Sequence, residues 1–329
     1  MDRTPSLGRR RLLAAGTATL LAGLAGCNDS GSVDPGPPAS QAPANTGVLV
    51  SADMALLEHD GTERLLDAYG SGPGGGEVGS DVGLVAEFEN RTGLEAEAAD
   101  EIVIFADRPR GDFAAYVVEG EWREATVLES VESATGLEYA ARDHEGGTVY
   151  EPDGGGSEAD SLGFVAEGRY AVGSVGAVEA AIETVRADRE SVGGELKSAF
   201  DDATGVDAEG TTYVTAATDD PRAYLPPDDS DVVPPFVSLD GYETATVGTV
   251  AYAAADEAVA VDAELRADTE SDARELADLT FVVREGLATL VDDAVLAQLE
   301  KVAIERDGSV VTISYRSDVE GAAALAGLL

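Results

Sequence analysis

Residues 244–255 read TATVGTVAYAAA, and after Asp256-Glu257 residues 258–267 read AVAVDAELRA. Both arms are rich in valine, threonine, tyrosine and alanine. β-Branched and aromatic residues suit a pleated, half-buried surface, and a short acidic step between two such runs marks a hairpin turn. The same signature recurs. Residues 162–166 and 169–173 flank Glu167-Gly168, residues 302–305 and 310–315 flank Asp307-Gly308, and residues 137–141 and 148–150 flank Glu145-Gly146-Gly147. Asp-Gly and Glu-Gly steps supply the positive φ that tight turns need. Hairpins outnumber βαβ crossovers, so the chain reads as α+β, with mostly antiparallel sheets packed by amphipathic helices.

Working outward, residues 47–51, 102–106, 113–119 and 213–217 read as further strands. Trp122, Ala125, Leu128 and Val131 predict one helix face. Val175, Val178, Ile182 and Val185 predict a second. Thr269 followed by Asp272 caps a long helix whose face carries Leu276, Val283, Leu287 and Leu290. Residues 62–69, with Leu65 and Leu66 inward, and residues 319–328 read as helices as well. Phe88-Glu89-Asn90-Arg91-Thr92-Gly93-Leu94-Glu95-Ala96-Glu97 matches Phe200-Asp201-Asp202-Ala203-Thr204-Gly205-Val206-Asp207-Ala208-Glu209 without a gap, at an offset of 112. The match predicts two tandem α+β units, residues 46–190 and 191–329, related by duplication.

Charge bounds the partners. The chain holds 64 acidic and 21 basic residues, a formal charge of -43. Nucleic acid is excluded as a default partner, because phosphate binding needs a basic face. One cysteine excludes a disulfide scaffold and a cysteine-based zinc site. Only Lys197 and Lys301 are lysines.

The N-terminus carries an address. Arg9-Arg10-Arg11 precedes an apolar run over 12–25 that ends in Leu24-Ala25-Gly26-Cys27. A spanning helix needs about 20 apolar residues, so this shorter run fits a signal-peptide core. The segment resembles a twin-arginine export signal, with Arg9 and Arg10 as the signal pair. Its end resembles a lipobox, with Cys27 as the lipid-modified first residue of the mature chain. Residues 1–26 are then a signal peptide, and residues 27–45, rich in Pro, Gly, Ser and Ala, a flexible lipid-anchored tether. Cleavage removes Asp2 and four arginines (Arg3, Arg9, Arg10, Arg11), so the charge falls from -43 to -46. This acid-rich, lysine-poor composition resembles that of uncharacterised twin-arginine-exported lipoproteins of halophilic archaea. Gly168-Arg169-Tyr170-Ala171-Val172-Gly173-Ser174 leading into Ala177-Val178-Glu179-Ala180-Ala181-Ile182, and residues 257–316, are similar to a broad group of exported proteins without assigned activity. That resemblance covers about half the chain and implies a location and a fold.

Catalytic chemistry leaves no recognisable motif. Gly173-Ser174-Val175-Gly176 lacks the first glycine of a nucleophile elbow. His59 and His144 lie in polar stretches and read as surface residues. Matches to G-x-G-x-x-G within residues 70–79 do not open a helix after a strand and read as loop glycines. Asp228-Asp229-Ser230-Asp231, near Asp219-Asp220, lacks the pattern of a calcium loop. Asn28-Asp29-Ser30 and Asn90-Arg91-Thr92 match the glycosylation acceptor pattern, Asn90 being the better placed. The expectation is a non-enzymatic protein without catalytic, cofactor or metal residues. It is exported and anchored to the outer face of the cell membrane through lipid on Cys27. Its role is structural or interactive in a high-salt envelope, with an envelope protein as partner. The alternative is an extracytoplasmic solute-binding subunit of an import system, which a buried cleft lined by Trp122 and tyrosines would favour.

Overall fold

The computed structural model describes residues 37–326 apart from 63, 66–87, 110, 155–158, 187–188, 205–210, 226–237 and 256. Its strands are β1 Val48–Asp53, β2 Ala99–Ala106, β3 Ala114–Gly120, β4 Tyr139–His144, β5 Gly147–Pro152, β6 Ser161–Ala166, β7 Arg169–Gly173, β8 Thr211–Thr218, β9 Ala245–Ala255, β10 Ala258–Ala267, β11 Ala303–Asp307 and β12 Val310–Asp318. They join in one 12-stranded sheet, in the order β11-β12-β10-β9-β8-β1-β2-β3-β7-β6-β5-β4, with antiparallel pairing throughout the described residues. The helices are α1 Glu124–Thr135, α2 Val175–Val185, α3 Gly194–Thr204, α4 Glu270–Ala288, α5 Asp293–Leu299 and α6 Val319–Ala326.

The β9–β10 hairpin forms as its sequence predicts, Ala255 opposite Ala258 and Val247 opposite Arg266. In β11–β12, Gly308 takes φ +56 at the turn. The short run at β1 becomes the middle of the sheet. Val48 faces Ala106 of β2 on one side and Thr218 of β8 on the other, and the pairing continues to Ala52 opposite Ile102 and Val214.

Cross-strand partners share a face, so the two sides of the sheet follow from the register. On one face Leu49, Phe105 and Ala217 pack with Val178 and Ile182 of α2 and Leu196 and Phe200 of α3. On the other face Ile102, Tyr116 and Val118 pack with Val127 and Val131 of α1. There too Val311 packs with Ala273 and Leu276 of α4, and Val259 and Tyr315 pack with Val319 and Ala322 of α6. The first core draws residues from before and after position 190, so both halves close over one shared interior.

Three helical expectations shift. α1 buries Val127 and Val131 rather than Ala125, and Trp122 lies before its first residue. Steps of three residues drift around a 3.6-residue turn, whereas Val127 and Val131 stand four apart. The α4 cap holds: the Asp272 backbone N–H donates to Thr269 Oγ1 at 3.1 Å. α4 ends at Ala288, however, so Leu290 lies past the helix and is 60% exposed.

The match at offset 112 has a local cause. Thr92 Oγ1 donates to the Phe88 carbonyl at 2.7 Å, and Thr204 Oγ1 to the Phe200 carbonyl at 2.7 Å. A third copy, Val131-Glu132-Ser133-Ala134-Thr135-Gly136-Leu137-Glu138, ends α1 in the same way, with Thr135 Oγ1 on the Val131 carbonyl at 2.8 Å. In each copy the first residue is buried. In the two copies whose glycine is described, Gly93 and Gly136 adopt φ +66 and +69. There the acidic residue also reaches past the helix end: Glu89 Oε1 accepts from Ala96 N at 3.1 Å and Glu132 Oε1 from Tyr139 N at 3.2 Å. The repeat is therefore a helix stop. Its first and last copies pack on opposite faces, Phe88 with Tyr116 and Phe200 with Ala199 and Val247.

Candidate functional site

Arg9, Arg10, Cys27, the glycine-rich loop 71–80 and Asp228–Asp231 lie outside the described residues. Asn90 is exposed on the helical residues 88–92. The two histidines are half-buried rather than on the surface. His59 Nδ1 accepts from the Thr62 backbone N–H at 3.2 Å, capping a helical turn. His144 Nε2 donates to Glu183 Oε1 at 3.0 Å, and Arg142, beside it, pairs with Glu151 and with Glu179 at 2.6 Å each. The partners come from β5 and α2, not from Asp143 or Glu145, because adjacent residues of a strand point to opposite sides. The cluster ties the edge strand β4 to α2.

The aromatic residues near Trp122 pack against one another. The Trp122 ring lies over Gly120, where a Cβ would stand 2.3 Å from it. Tyr170 OH donates to the Trp122 carbonyl at 2.7 Å, and Tyr150 OH donates to Glu124 Oε1 at 2.5 Å. Burial, with that carboxylate beside it, pushes the Tyr150 hydroxyl up to about 12, so it stays a donor. These groups use their polar atoms internally, as core residues do.

A row of charge crosses the face that carries α2 and α3. Asp53, Glu101, Glu119 and Arg169 stand opposite one another on β1, β2, β3 and β7. Burial pushes the Glu101 carboxyl up, Glu119 and Asp53 add repulsion, and the Ser51 hydroxyl at 2.9 Å and Arg169 oppose it. An acid whose folded-state value is raised binds its proton more tightly in the native state. Stability therefore rises as pH falls through that raised value, and the gain is complete below the unfolded value of about 4.3. Glu101→Gln keeps the Ser51 hydrogen bond and removes the charge. Its melting midpoint should exceed that of the parent at neutral pH, with the difference shrinking under mild acid; an equal or lower midpoint at neutral pH would refute this.

The other face holds the feature that sequence reading passed over. Ile104, Val50, Ala216, Val250, Ala263, Ile313 and Ile304 form one transverse row across β2, β1, β8, β9, β10, β12 and β11. At about 4.8 Å per strand the row runs about 29 Å. Six of its residues are half-buried and Val250 is 45% exposed. The adjoining rows, Ala52-Val214-Tyr252-Val261-Tyr315 and Val48-Thr218-Gly248-Leu265-Val311, carry no charge as far as β12, and the second meets Arg306 on β11. α6 covers the first of these at Tyr315 and α4 the second at Val311, leaving Val250 between them. On the opposite face, β10 and β12 present Asp262, Glu264, Arg266 and Arg316, with Arg316 bound through two nitrogens to Asp262. The period-two signal was present: Val259, Val261, Ala263 and Leu265 alternate with Ala260, Asp262, Glu264 and Arg266. An uncharged strip offers contact rather than chemistry. Among the described residues no group of three or more His, Cys, Asp or Glu side chains could hold a metal ion. No described helix is long and apolar enough to cross a membrane.

The fold class these elements define is α+β, helices packed on one large antiparallel sheet. No family model matches the chain, and no curated protein matches it by sequence. Among solved structures it is similar to TP0453 in crystal form III, with a TM-score of 0.50 and 10% identity over 88% of this chain and 98% of that one. Crystal form I of TP0453 gives a TM-score of 0.49 and 12% identity over 88% and 96%. At this identity the likeness shows the fold alone.

Proposed function

We propose that the chain is an exported, lipid-anchored surface protein of a high-salt envelope whose folded part is an interaction module. The observation that carries the reading is the uncharged strip around Val250. In a chain of net charge -43, an exposed valine flanked on β8, β9 and β10 by uncharged residues offers a surface for contact, since burial of apolar area yields about 25 cal/mol per Å². Export and anchoring rest on Arg9, Arg10 and Cys27. Two tandem units agree with the strand order, in which β1-β2-β3-β7-β6 is echoed by β8-β9-β10-β12-β11. Each set runs strand, hairpin, helix, hairpin, helix, with β4–β5, α3 and α5 as additions. Solute binding between two parallel-sheet lobes finds no support in antiparallel pairing and a packed Trp122.

The test is hydrodynamic. Extracted from the envelope in mild detergent and molar salt, the wild-type protein should sediment as a complex larger than one mature chain, itself lighter than the 33.7 kDa of the full sequence, allowing for bound detergent. Val250→Glu should sediment as the free chain with its circular dichroism unchanged. A wild-type protein that sediments alone would remove the interaction reading.

A further inference from the structure

We infer that the acceptor triplet Asn90-Arg91-Thr92 is closed in the folded protein, so that a sugar on Asn90 records contact with a glycosyl transferase before folding. The acceptor pattern admits only serine or threonine at its third position, and what these share is a hydroxyl on Cβ. That hydroxyl is what the transferase must reach, together with the asparagine amide.

The structure separates the two groups. Asn90 is exposed, whereas Thr92 is 0% exposed. Both functions of its hydroxyl are in use: Oγ1 donates to the Phe88 carbonyl at 2.7 Å and accepts from the Leu94 backbone N–H at 3.1 Å. Freeing it means undoing the helix stop. Phe88 and Leu94 are buried on either side, Gly93 N donates to the Glu89 carbonyl at 2.7 Å, and Glu89 Oε1 holds Ala96 N. Arg91 is pinned from another segment by Asp160 at 2.9 Å. The triplet thus lies in a short helical turn fastened at both ends, and reading it requires the extended chain.

The chemistry withheld is transfer from a lipid-phosphate-linked sugar. The Asn90 amide nitrogen would bond to the anomeric carbon, and the bond from that carbon to the phosphate oxygen would break. The lipid phosphate would leave, and the amide proton would pass to a base of the transferase. A chain exported folded would keep Asn90 bare, a consequence that rests on the export reading proposed above. The closure itself does not.

Purified full-length protein in molar potassium chloride, its fold checked by circular dichroism, is incubated with an oligosaccharyl transferase and its lipid-phosphate-linked sugar. Mass spectrometry reads the modified fraction at Asn90, and Asn90→Gln gives the blank. Wild type should be modified little. Phe88→Ala, which loosens the turn, should be modified roughly tenfold more or beyond, because modification follows the open population. Thr92→Ser should restore acceptance in part, since serine keeps the hydroxyl and loses the buried methyl. Ready modification of the folded wild type would overturn the closure, and so would a failure of Phe88→Ala and of the urea-unfolded wild type to accept sugar. The same protein isolated from cells then tests the route separately: with closure established in vitro, a glycan on Asn90 would remove export in the folded state alone.

Discussion

Cys27→Ser is expected to move the protein from the membrane fraction almost entirely into the soluble one. The expectation follows from Arg9-Arg10, the apolar run over 12–25 and Leu24-Ala25-Gly26-Cys27, in which the thiol is the group that would take the lipid. Serine offers a hydroxyl of similar size and no thioether. An anchor of two or more acyl chains holds a protein far more firmly than a single chain can, so its loss leaves little residual attachment. Fractionation followed by blotting gives the answer. A variant that stays with the membrane and runs at its full precursor mass would make residues 12–25 a retained helix and Cys27 incidental. Replacing Arg9 and Arg10 by lysine in the same background should leave the precursor inside the cell.

The second large effect is on stability. With the leader removed, the formal charge is -46. Several of the described arginines are drawn into local pairs, such as Arg169 with Glu119 at 2.6 Å and Arg266 with Asp202 at 2.8 Å. Such pairs at a surface are worth about 0–1 kcal/mol each. Most of the acidic surface is left to repel itself. In about 0.01 M salt the Debye length is about 30 Å, so each carboxylate feels many others; at about 1 M it is about 3 Å. Unfolding relieves that repulsion, against a net stability of only about 5–15 kcal/mol. At about 2 °C per kcal/mol for a chain of this size, screening several kcal/mol of repulsion raises the melting midpoint by roughly 10 °C or more. Circular dichroism melts in potassium chloride from about 0.01 M to molar concentrations should show that rise. A midpoint that does not move with salt would end the halophilic reading.

What the sequence displayed was local. The β9–β10 and β11–β12 turns, the Thr269 cap and most of the α2 face depend on neighbours within a few residues and stand where the pattern puts them, although Val175, at the start of α2, is exposed rather than inward. The helix stop shows in the sequence as a repeat, and its third copy, at Val131–Glu138, marks it as a recurring way of ending a helix. The place of β1 was not legible at all. Nothing within residues 48–53 tells that one edge of the strand takes β2 and the other β8, more than a hundred residues later. The strip around Val250 was lost for the same reason. Its row is assembled from seven strands whose register is set by long-range pairing, and each contributes a single unremarkable alanine, valine or isoleucine.

The position of β1 decides how the fold meets force. The expected tether over residues 27–45 is not flexible throughout: residues 38–44 include a helical turn buried in the first core through Ala39 and Ala42 and are bonded to Glu190 and Val192, and the chain then enters the sheet at Val48, in a strand bonded on both edges. Drag from that end would first have to free residues 38–44 from Glu190 and Val192, and only then would it pull on β1. The ladders to β2 and β8 then carry the load side by side, in shear, and must give way together instead of unzipping one bond at a time. Anchored through an edge strand such as β4 or β11, the same sheet would peel. Entry through its centre would make a chain held from its N-terminal side harder to unravel than entry through an edge strand.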